Sequence, residues 1–281
     1  MKNRIYQLFQ KCFPNLPVCR DVFFRLFDYE TCKIITKDHS GQLIGFSAVQ
    51  DNSILLLCID PKFQGLGFGT QLVKESEDLI RLSGYSSAIL GGTDSKLFLG
   101  APTAEAQWRE QRNHFFETCG YSADDGCLEM IMPLSAYRPE QLTIPLDPPG
   151  ITFGYWDNKD KSGLLAAVGE VEADWVKYFR QDVPIYAAME QNRCVGFTIL
   201  SFNDDTLYSN GRDKVGMVGC VGVIPDRRSH GIGLAMVAHA THELKKRGSD
   251  LSYIHHTYLD KWYGRLGYQS FLFYWFGHKA L

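Results

Sequence analysis

Two stretches decide the fold: Cys58-Ile59-Asp60-Pro61-Lys62-Phe63-Gln64-Gly65-Leu66-Gly67-Phe68-Gly69 and Gly222-Val223-Ile224-Pro225-Asp226-Arg227-Arg228-Ser229-His230-Gly231-Ile232-Gly233. They align without a gap at an offset of 164 positions, and the same offset carries Gly84 onto Gly248. Proline and glycine punctuation held in register over such a span marks an internal repeat, and the period of a repeat governs every later inference about the fold. Farther along, Phe116-Glu117-Thr118-Cys119-Gly120-Tyr121 matches Tyr263-Gly264-Arg265-Leu266-Gly267-Tyr268 at an offset of 147. The first copy therefore carries 17 more residues than the second, expected between Gly91 and Gln107.

Both copies share one local grammar. An apolar run of β type (Ile54 to Ile59; Val215 to Ile224) meets a proline and a glycine-rich turn. A helix follows, with Leu72, Val73, Ser76, Leu79 and Ile80 on one face in the first copy and Met236, Val237, Ala240 and Leu244 in the second, both at a period of 3.6. Gly84 and Gly248 stand where left-handed caps end helices, and short strands are expected at Ser87 to Leu90 and Leu251 to His255. Upstream hairpins are expected at Cys32 to Lys37 with Leu43 to Val49, and at Ile185 to Glu190 with Cys194 to Ser201. The first copy opens on two helices, about 3–13 and 18–29, with no strand ahead of them, whereas the second has one at Ile151 to Tyr155. The expected domains are 1–137 and 150–281, joined by a proline-rich linker over 138–149.

Composition narrows the function classes. The 281 residues are 45% hydrophobic and 22% charged with a formal net charge of −3, which describes a globular chain able to bury a core. No basic run marks a nucleic-acid surface, and no apolar stretch approaches the roughly 20 residues a bilayer-spanning helix needs. The start, Met1 to Leu8, is too polar for the apolar region of a signal peptide, and the eight cysteines form no C-x-x-C pair, so reduced thiols in a cytoplasmic protein are expected.

A strand that feeds a glycine turn and then a helix is suited to phosphate. Backbone N–H groups converge on the anion, the helix N-terminus contributes about half a positive charge, and glycine lets the backbone approach closely. Neither turn carries the G-K-Ser/Thr of a Walker loop, and the dinucleotide fingerprint G-x-G-x-x-G fails at Thr70 and Met236. What both turns satisfy is Gln/Arg-x-x-Gly-x-Gly/Ala.

That pattern, with the aromatic-rich Trp262-Tyr263-x-x-x-Gly267-Tyr268 downstream, resembles the GNAT superfamily of acyl-CoA-dependent N-acyltransferases, most specifically over residues 54–121 and 217–268. Two such domains in one chain are also similar in architecture to the mycothiol synthases, with nothing in these residues pointing to their sugar-thiol substrate. The resemblance implies an α/β fold in which each domain is a mixed sheet whose fourth and fifth strands splay apart around the pantetheine arm of acetyl-CoA. The pyrophosphate would then rest on the glycine turn: Arg228, Ser229, His230, Gly231, Ile232, Gly233 and Leu234 in the second copy, and Gln64, Gly65, Leu66, Gly67, Phe68, Gly69 and Thr70 in the first. Ile59 and Val221, Gly222 and Val223 are the strand residues expected beside the thioester, with backbone N–H groups from the latter three as oxyanion donors.

The resemblance also implies a tyrosine on the last helix as the acid that protonates the leaving thiolate. By position it is Tyr263, and the matching residue in the first copy is Phe116, which has no proton to give. The second domain is thus expected to be catalytic and the first degenerate, although a tyrosine there also suits plain packing of helix on sheet. For the general base, Met217 to Ile224 holds no acidic residue, which leaves His255, His256 and Glu190 as candidates. His239, His242 and Glu243 are not in zincin order and are expected on a solvated helix face, so no metal is expected. The expected activity is direct acetyl transfer from acetyl-CoA to a primary amine of a small acceptor. The alternative is an acyl-CoA-binding or sensing protein with no chemistry.

Overall fold

The computed structural model describes residues 1–14, 16, 18–27, 29–91, 101–103, 114–202 and 208–281. The chain folds as two compact units, Met1–Leu128 with Asp205–Gly211 and Leu272–Leu281, and Glu129–Asp204 with Arg212–Phe271. Among the described residues no helix is long and apolar enough to cross a membrane.

The first unit opens with helices α1 (Lys2–Cys12) and α2 (Arg20–Phe27), as the sequence suggests. Strands β1 (Lys33–His39), β2 (Gln42–Gln50) and β3 (Ser53–Ile59) form an antiparallel meander, and α3 (Phe68–Leu82) carries the chain to β4 (Ser87–Leu90), parallel to β3. Leu72, Val73, Ser76 and Ile80 of α3 are buried, which is the period-3.6 face expected for it. The helix ends as its glycine foretells: Gly84 sits at φ +91, its N–H donates to Arg81 O (2.9 Å), and Tyr85 N–H donates to Ile80 O (3.3 Å). The insertion expected between Gly91 and Gln107 falls largely outside the described residues, of which Ala101–Thr103 form β5. Residues 114–118 are the described part of helix α4.

The second unit repeats the plan. Strand β7 (Ile151–Tyr155) leads to α5 (Ser162–Val171) and the short α6 (Val176–Phe179), then to the meander β8 (Ile185–Glu190), β9 (Arg193–Ser201) and β10 (Val215–Val223). Helix α7 (Ile232–Lys246) follows, then β11 (Leu251–Thr257), parallel to β10, and helix α8 (Asp260–Gly264). Close approaches fix which face each helix covers. A Cβ on Gly196 would meet Met236 Sδ of α7 at 3.3 Å, so Gly196 faces α7. Phe197, next along the strand and on the other face, packs its ring 5.1 Å from Phe179 of α6. The sheet of this unit is therefore sandwiched between α7 and the α5–α6 segment.

The last strand of each repeat departs from sequence order. Under the 147-residue offset, β6 (Ser122–Pro133) and β12 (Gln269–Ala280) are equivalent. The first unit runs β1-β2-β3-β4-β12-β6, with His278 of β12 paired to Ile89 of β4, so a strand from the C-terminal end of the chain lies between two strands of the N-terminal half. In the second unit the end of β6, from Glu129 onward, lies beside β11. Each unit is thus closed by a strand from the other repeat. In β12, Leu272, Tyr274 and Trp275 are all buried.

An ion pair latches β12 in the first unit. Lys279 Nζ donates to both carboxylate oxygens of Glu77 on α3 (2.9 and 3.0 Å) and to Cys119 O (2.7 Å), and Glu77 is 4% exposed. At the matching position α7 carries Thr241, whose hydroxyl bonds the Tyr268 phenol instead (2.8 Å). Breaking one side of a buried pair leaves the other charge poorly compensated, here with the half-exposed Arg81 guanidinium 4.0 Å from Glu77. Lys279→Met is therefore expected to cost about 3 kcal/mol of unfolding free energy, while Glu77→Leu combined with Lys279→Met costs much less. Urea denaturation of the three proteins checks this, and a double variant as weak as the single one would refute it.

Candidate functional site

The two glycine turns adopt the same backbone. After each proline comes a single 3-10 turn, Pro61–Phe63 and Pro225–Arg227. Two left-handed residues then alternate with ordinary ones: Gly65 and Gly67 (φ +75 and +84), and Ser229 and Gly231 (φ +67 and +79). This alternation points successive N–H groups to one side and forms a concave nest at the mouth of a helix, a geometry suited to an anion. Gly67 and Gly231 are the N-caps of α3 and α7, with no side-chain cap on either helix, so the first-turn N–H groups remain available. A glycine starts each helix for a further reason. A Cβ on Gly233 would lie 3.1 Å from Trp262, and one on Gly69 would lie 3.1 Å from Phe115, its counterpart.

The polar residue that opens the motif has a structural task. Arg228 Nε donates to Val223 O (3.1 Å), and Gln64 Nε2 donates to Ile59 O (3.0 Å), the equivalent carbonyl. Each side chain ties the end of the strand to the turn that follows, which is why residues as unlike as glutamine and arginine serve the same position.

Beside the second turn, the parallel pair β10–β11 opens. Val215, Gly216 and Met217 pair with Leu251, Ser252 and Tyr253, and the ladder stops there. Beyond it β10 shifts register against β9 between Gly219 and Gly222, a bulge that carries Cys220 through φ +50. A bulge bends and twists its strand, so past Met217 the β11-facing edge of β10 has no strand partner among the described residues. Gly222 is obligatory because a Cβ there would sit 2.3 Å from Phe197. Val221, Gly222 and Val223 thus lie on the opened stretch of β10. In the first unit β3 pairs with β4 at Ser53 and Ile54, and β3 has no left-handed residue at the place matching Cys220.

Tyr263 lies on α8, which ends just before Gly267 (φ +99). Its side chain is 6% exposed, and burial first, then the nearby Tyr268 and Cys220, hold its phenol well above the ordinary tyrosine range. It therefore stays protonated at neutral pH. Burial also pushes the Cys220 thiol up to about 11, which keeps it from acting as a nucleophile. The Tyr268 hydroxyl is fixed by Thr241 and Ser252 (2.8 and 2.6 Å). Phe116, the counterpart of Tyr263, stacks on Trp275 at 6.3 Å, a packing role.

The three candidate bases separate. Glu190 is committed to Arg227, which donates two bonds to its Oε2 (2.9 and 2.8 Å) and so anchors β8 to the turn. His256 takes φ +52, and its N–H donates to Glu129 Oε1 (3.2 Å). His255 Nδ1 lies 2.8 and 2.9 Å from the two oxygens of Glu129, a fully buried carboxylate on β6. Burial disfavours the imidazolium, but the charge of Glu129 and its hydrogen bond outweigh that, and the imidazole pKa is raised. A pair of this sign stabilises the fold fully below about pH 6.5 and loses that share as pH rises through the raised value. Glu129 gives no signal in the sequence, because it comes from the other repeat and from a strand with no motif of its own.

The helix-face histidines are corrected. His239 stacks on Phe153 (4.8 Å) and its Nε2 lies 3.1 Å from Leu146 O, while His242 and Glu243 are only partly exposed, so this face is packed rather than solvated. Among the described residues no three His, Cys, Asp or Glu side chains are grouped to hold a metal ion.

The family model of the acetyltransferase (GNAT) family matches residues 2–97 and 153–268, and the chain belongs to that family. Its solved neighbours share the fold. One is a GCN5-related glucosamine N-acetyltransferase region of a fungal multi-domain GH3 β-N-acetylglucosaminidase, 25% identical with a TM-score of 0.77, covering 99% of this chain and 36% of that one. This chain therefore spans about a third of that enzyme's length. Another is a tandem GNAT protein from the clavulanic acid biosynthesis pathway (14% identity, TM-score 0.68, 99% and 94% covered). A third is a GCN5-related N-acetyltransferase from Sphaerobacter thermophilus (17%, TM-score 0.67, 99% and 91%). No curated protein sequence matches the chain.

If the motif's polar residue is a clamp, Arg228→Gln retains the bond to Val223 O and unfolds within about 0.5 kcal/mol of the unaltered protein. Arg228→Ala is expected to lose about 1 kcal/mol, the usual worth of one such bond. Equal losses in chemical denaturation would mean that the guanidinium charge, not the clamp, sets this position.

Proposed function

We propose that the protein transfers an acetyl group from acetyl-CoA to a primary amine, and that the second unit does the chemistry. The observation that carries this is the opening of β10 from β11 beside Tyr263, a buried and protonated phenol, where the first unit has Phe116. On this proposal the pyrophosphate of acetyl-CoA rests on the Arg228–Leu234 turn, and the pantetheine arm runs into the open edge. The thioester carbonyl then meets backbone N–H groups among Val221, Gly222 and Val223, which bear the developing oxyanion. Attack by the amine forms the C–N bond as the C–S bond breaks, and Tyr263 gives its proton to the leaving thiolate. The phenol is a weaker acid than the thiol that forms, so this proton transfer runs uphill by itself and is drawn forward by its coupling to cleavage of the C–S bond.

An amino sugar is the first acceptor class to try, because one structural neighbour is a glucosamine N-acetyltransferase region and its likeness covers nearly the whole of this chain. The first unit keeps the turn geometry and lacks the acid, which suits binding without turnover.

Calorimetric titration with acetyl-CoA tests the binding half. Gly231→Glu places a carboxylate in the nest at a left-handed position and is expected to abolish the second unit's site, whereas Gly67→Glu leaves turnover in place. Tyr263→Phe is expected to lower kcat about 10²-fold or more with acetyl-CoA affinity unchanged. Failure to bind acetyl-CoA at millimolar concentration would overturn the proposal.

A further inference from the structure

The base that a GNAT-type transfer needs is absent from β10, yet the second unit holds a titratable pair with no part in the transfer steps so far. We propose that His255 is the general base for the acceptor amine and that Glu129, reaching it from the other repeat's strand, is its positioning residue. This rests on the acetyl-transfer function proposed above.

The placement follows from strand geometry. Ser252 Oγ lies 2.6 Å from the Tyr268 hydroxyl, which also bonds Thr241 of α7, so Ser252 faces α7. Alternation along β11 then puts Tyr253 and His255 on the opposite face, that of α6 and Phe179. His255 stands two residues past Tyr253, the last residue paired to β10, and therefore borders the opened gap. Tyr263, on α8, lies close to Tyr268 (ring centroids 6.0 Å) on the α7 side. Acid and base are thus on opposite faces of the gap. Acyl transfer proceeds by addition of the amine to the carbonyl and expulsion of the thiolate, so a base on one face can serve the incoming nitrogen while the acid on the other serves the leaving sulfur.

The imidazole is built for the role. Nδ1 is held by a fully buried carboxylate, which fixes the ring and selects the tautomer whose Nε2 is the free acceptor when the ring is neutral. The side chain is 34% exposed, so one edge of it reaches solvent while its partner does not. Among the described residues, the titratable groups placed against the ring are Glu129 on β6 and His256 on its own strand, whose ring lies 6.0 Å away. Proton bookkeeping closes. Nε2 takes one proton from the acceptor ammonium and releases it to solvent, the freed nitrogen forms the C–N bond as the C–S bond breaks, and the second proton lost by that nitrogen replaces the one that Tyr263 gave to the thiolate. The neutral imidazole is the working form, so activity falls as pH drops through its raised pKa.

The test is the pH profile of kcat/KM with acetyl-CoA and glucosamine for the full chain, beside His255→Gln, Glu129→Gln and Glu129→Asp. In the unaltered protein an acidic limb is expected above the ordinary histidine range. Removing the ring is expected to lower kcat by about 10²-fold or more and to erase that limb, with acetyl-CoA affinity retained. Glu129→Gln is expected to move the limb to lower pH, and Glu129→Asp to restore part of the shift. Where Glu129→Gln does not fold, the His255→Gln profile and an NMR titration of the His255 ring decide alone. If glucosamine is not turned over, hydrolysis of acetyl-CoA by the same proteins gives the same comparison, with water as the group deprotonated. A His255→Gln protein that melts early but keeps kcat within about threefold and an unmoved limb would refute the base while leaving acetyl transfer intact. An unaltered protein that neither binds acetyl-CoA nor turns it over refutes both.

Discussion

Everything in the second unit hangs on a parallel strand pair that is prevented from zipping. Three residues of β10 pair with β11, and then the bulge at Cys220 turns β10 away. A parallel ladder normally continues while both backbones stay extended, because each lost pair leaves N–H and C=O groups to be satisfied elsewhere. Stopping it early creates a slot edged by backbone of β10, with the glycine nest at its far end and a buried phenol beside it. The left-handed cysteine costs of order 1 kcal/mol or more, and the surrounding meander and α7 hold it in place.

The exchanged strands explain why the slot has a second wall. A repeat that kept its own last strand would supply β11 with a neighbour from its own sequence. Here β6, from the first repeat, takes that place in the second unit and brings Glu129 to His255. Reciprocally, β12 enters the first unit and brings Lys279 to Glu77. Both exchanges put a charged residue of one repeat against a titratable or charged residue of the other. Two repeats bound in this way can drift in function without separating, which agrees with Phe116 standing where Tyr263 stands in its partner copy.

Much of this was legible in the residues. Gly84 and Gly248 announced left-handed helix caps, and the structure puts φ at +91 and +86 there; the left-handed conformation of the turn glycines 65, 67 and 231 came from the structure. The periodic faces of α3 and α7 and the short strands after them also followed, because local propensity and burial agree there. The helix-face histidines misled for a definite reason: H-x-x-H spacing says which residues share a face but not what packs over it, and here Leu146 of the linker and Phe153 of β7 do.

By itself the sequence determined the repeat, the strand–turn–helix units, the family and the asymmetry between Tyr263 and Phe116, since each is written in residues close together along the chain. The tertiary structure alone decided where the ladder opens, that Arg228 acts as a clamp, that Glu190 is spent on Arg227, and that His255 has a buried carboxylate behind it. Those features depend on which strands become neighbours, and strand exchange pairs residues more than 120 positions apart, a distance over which no local pattern in the chain carries information.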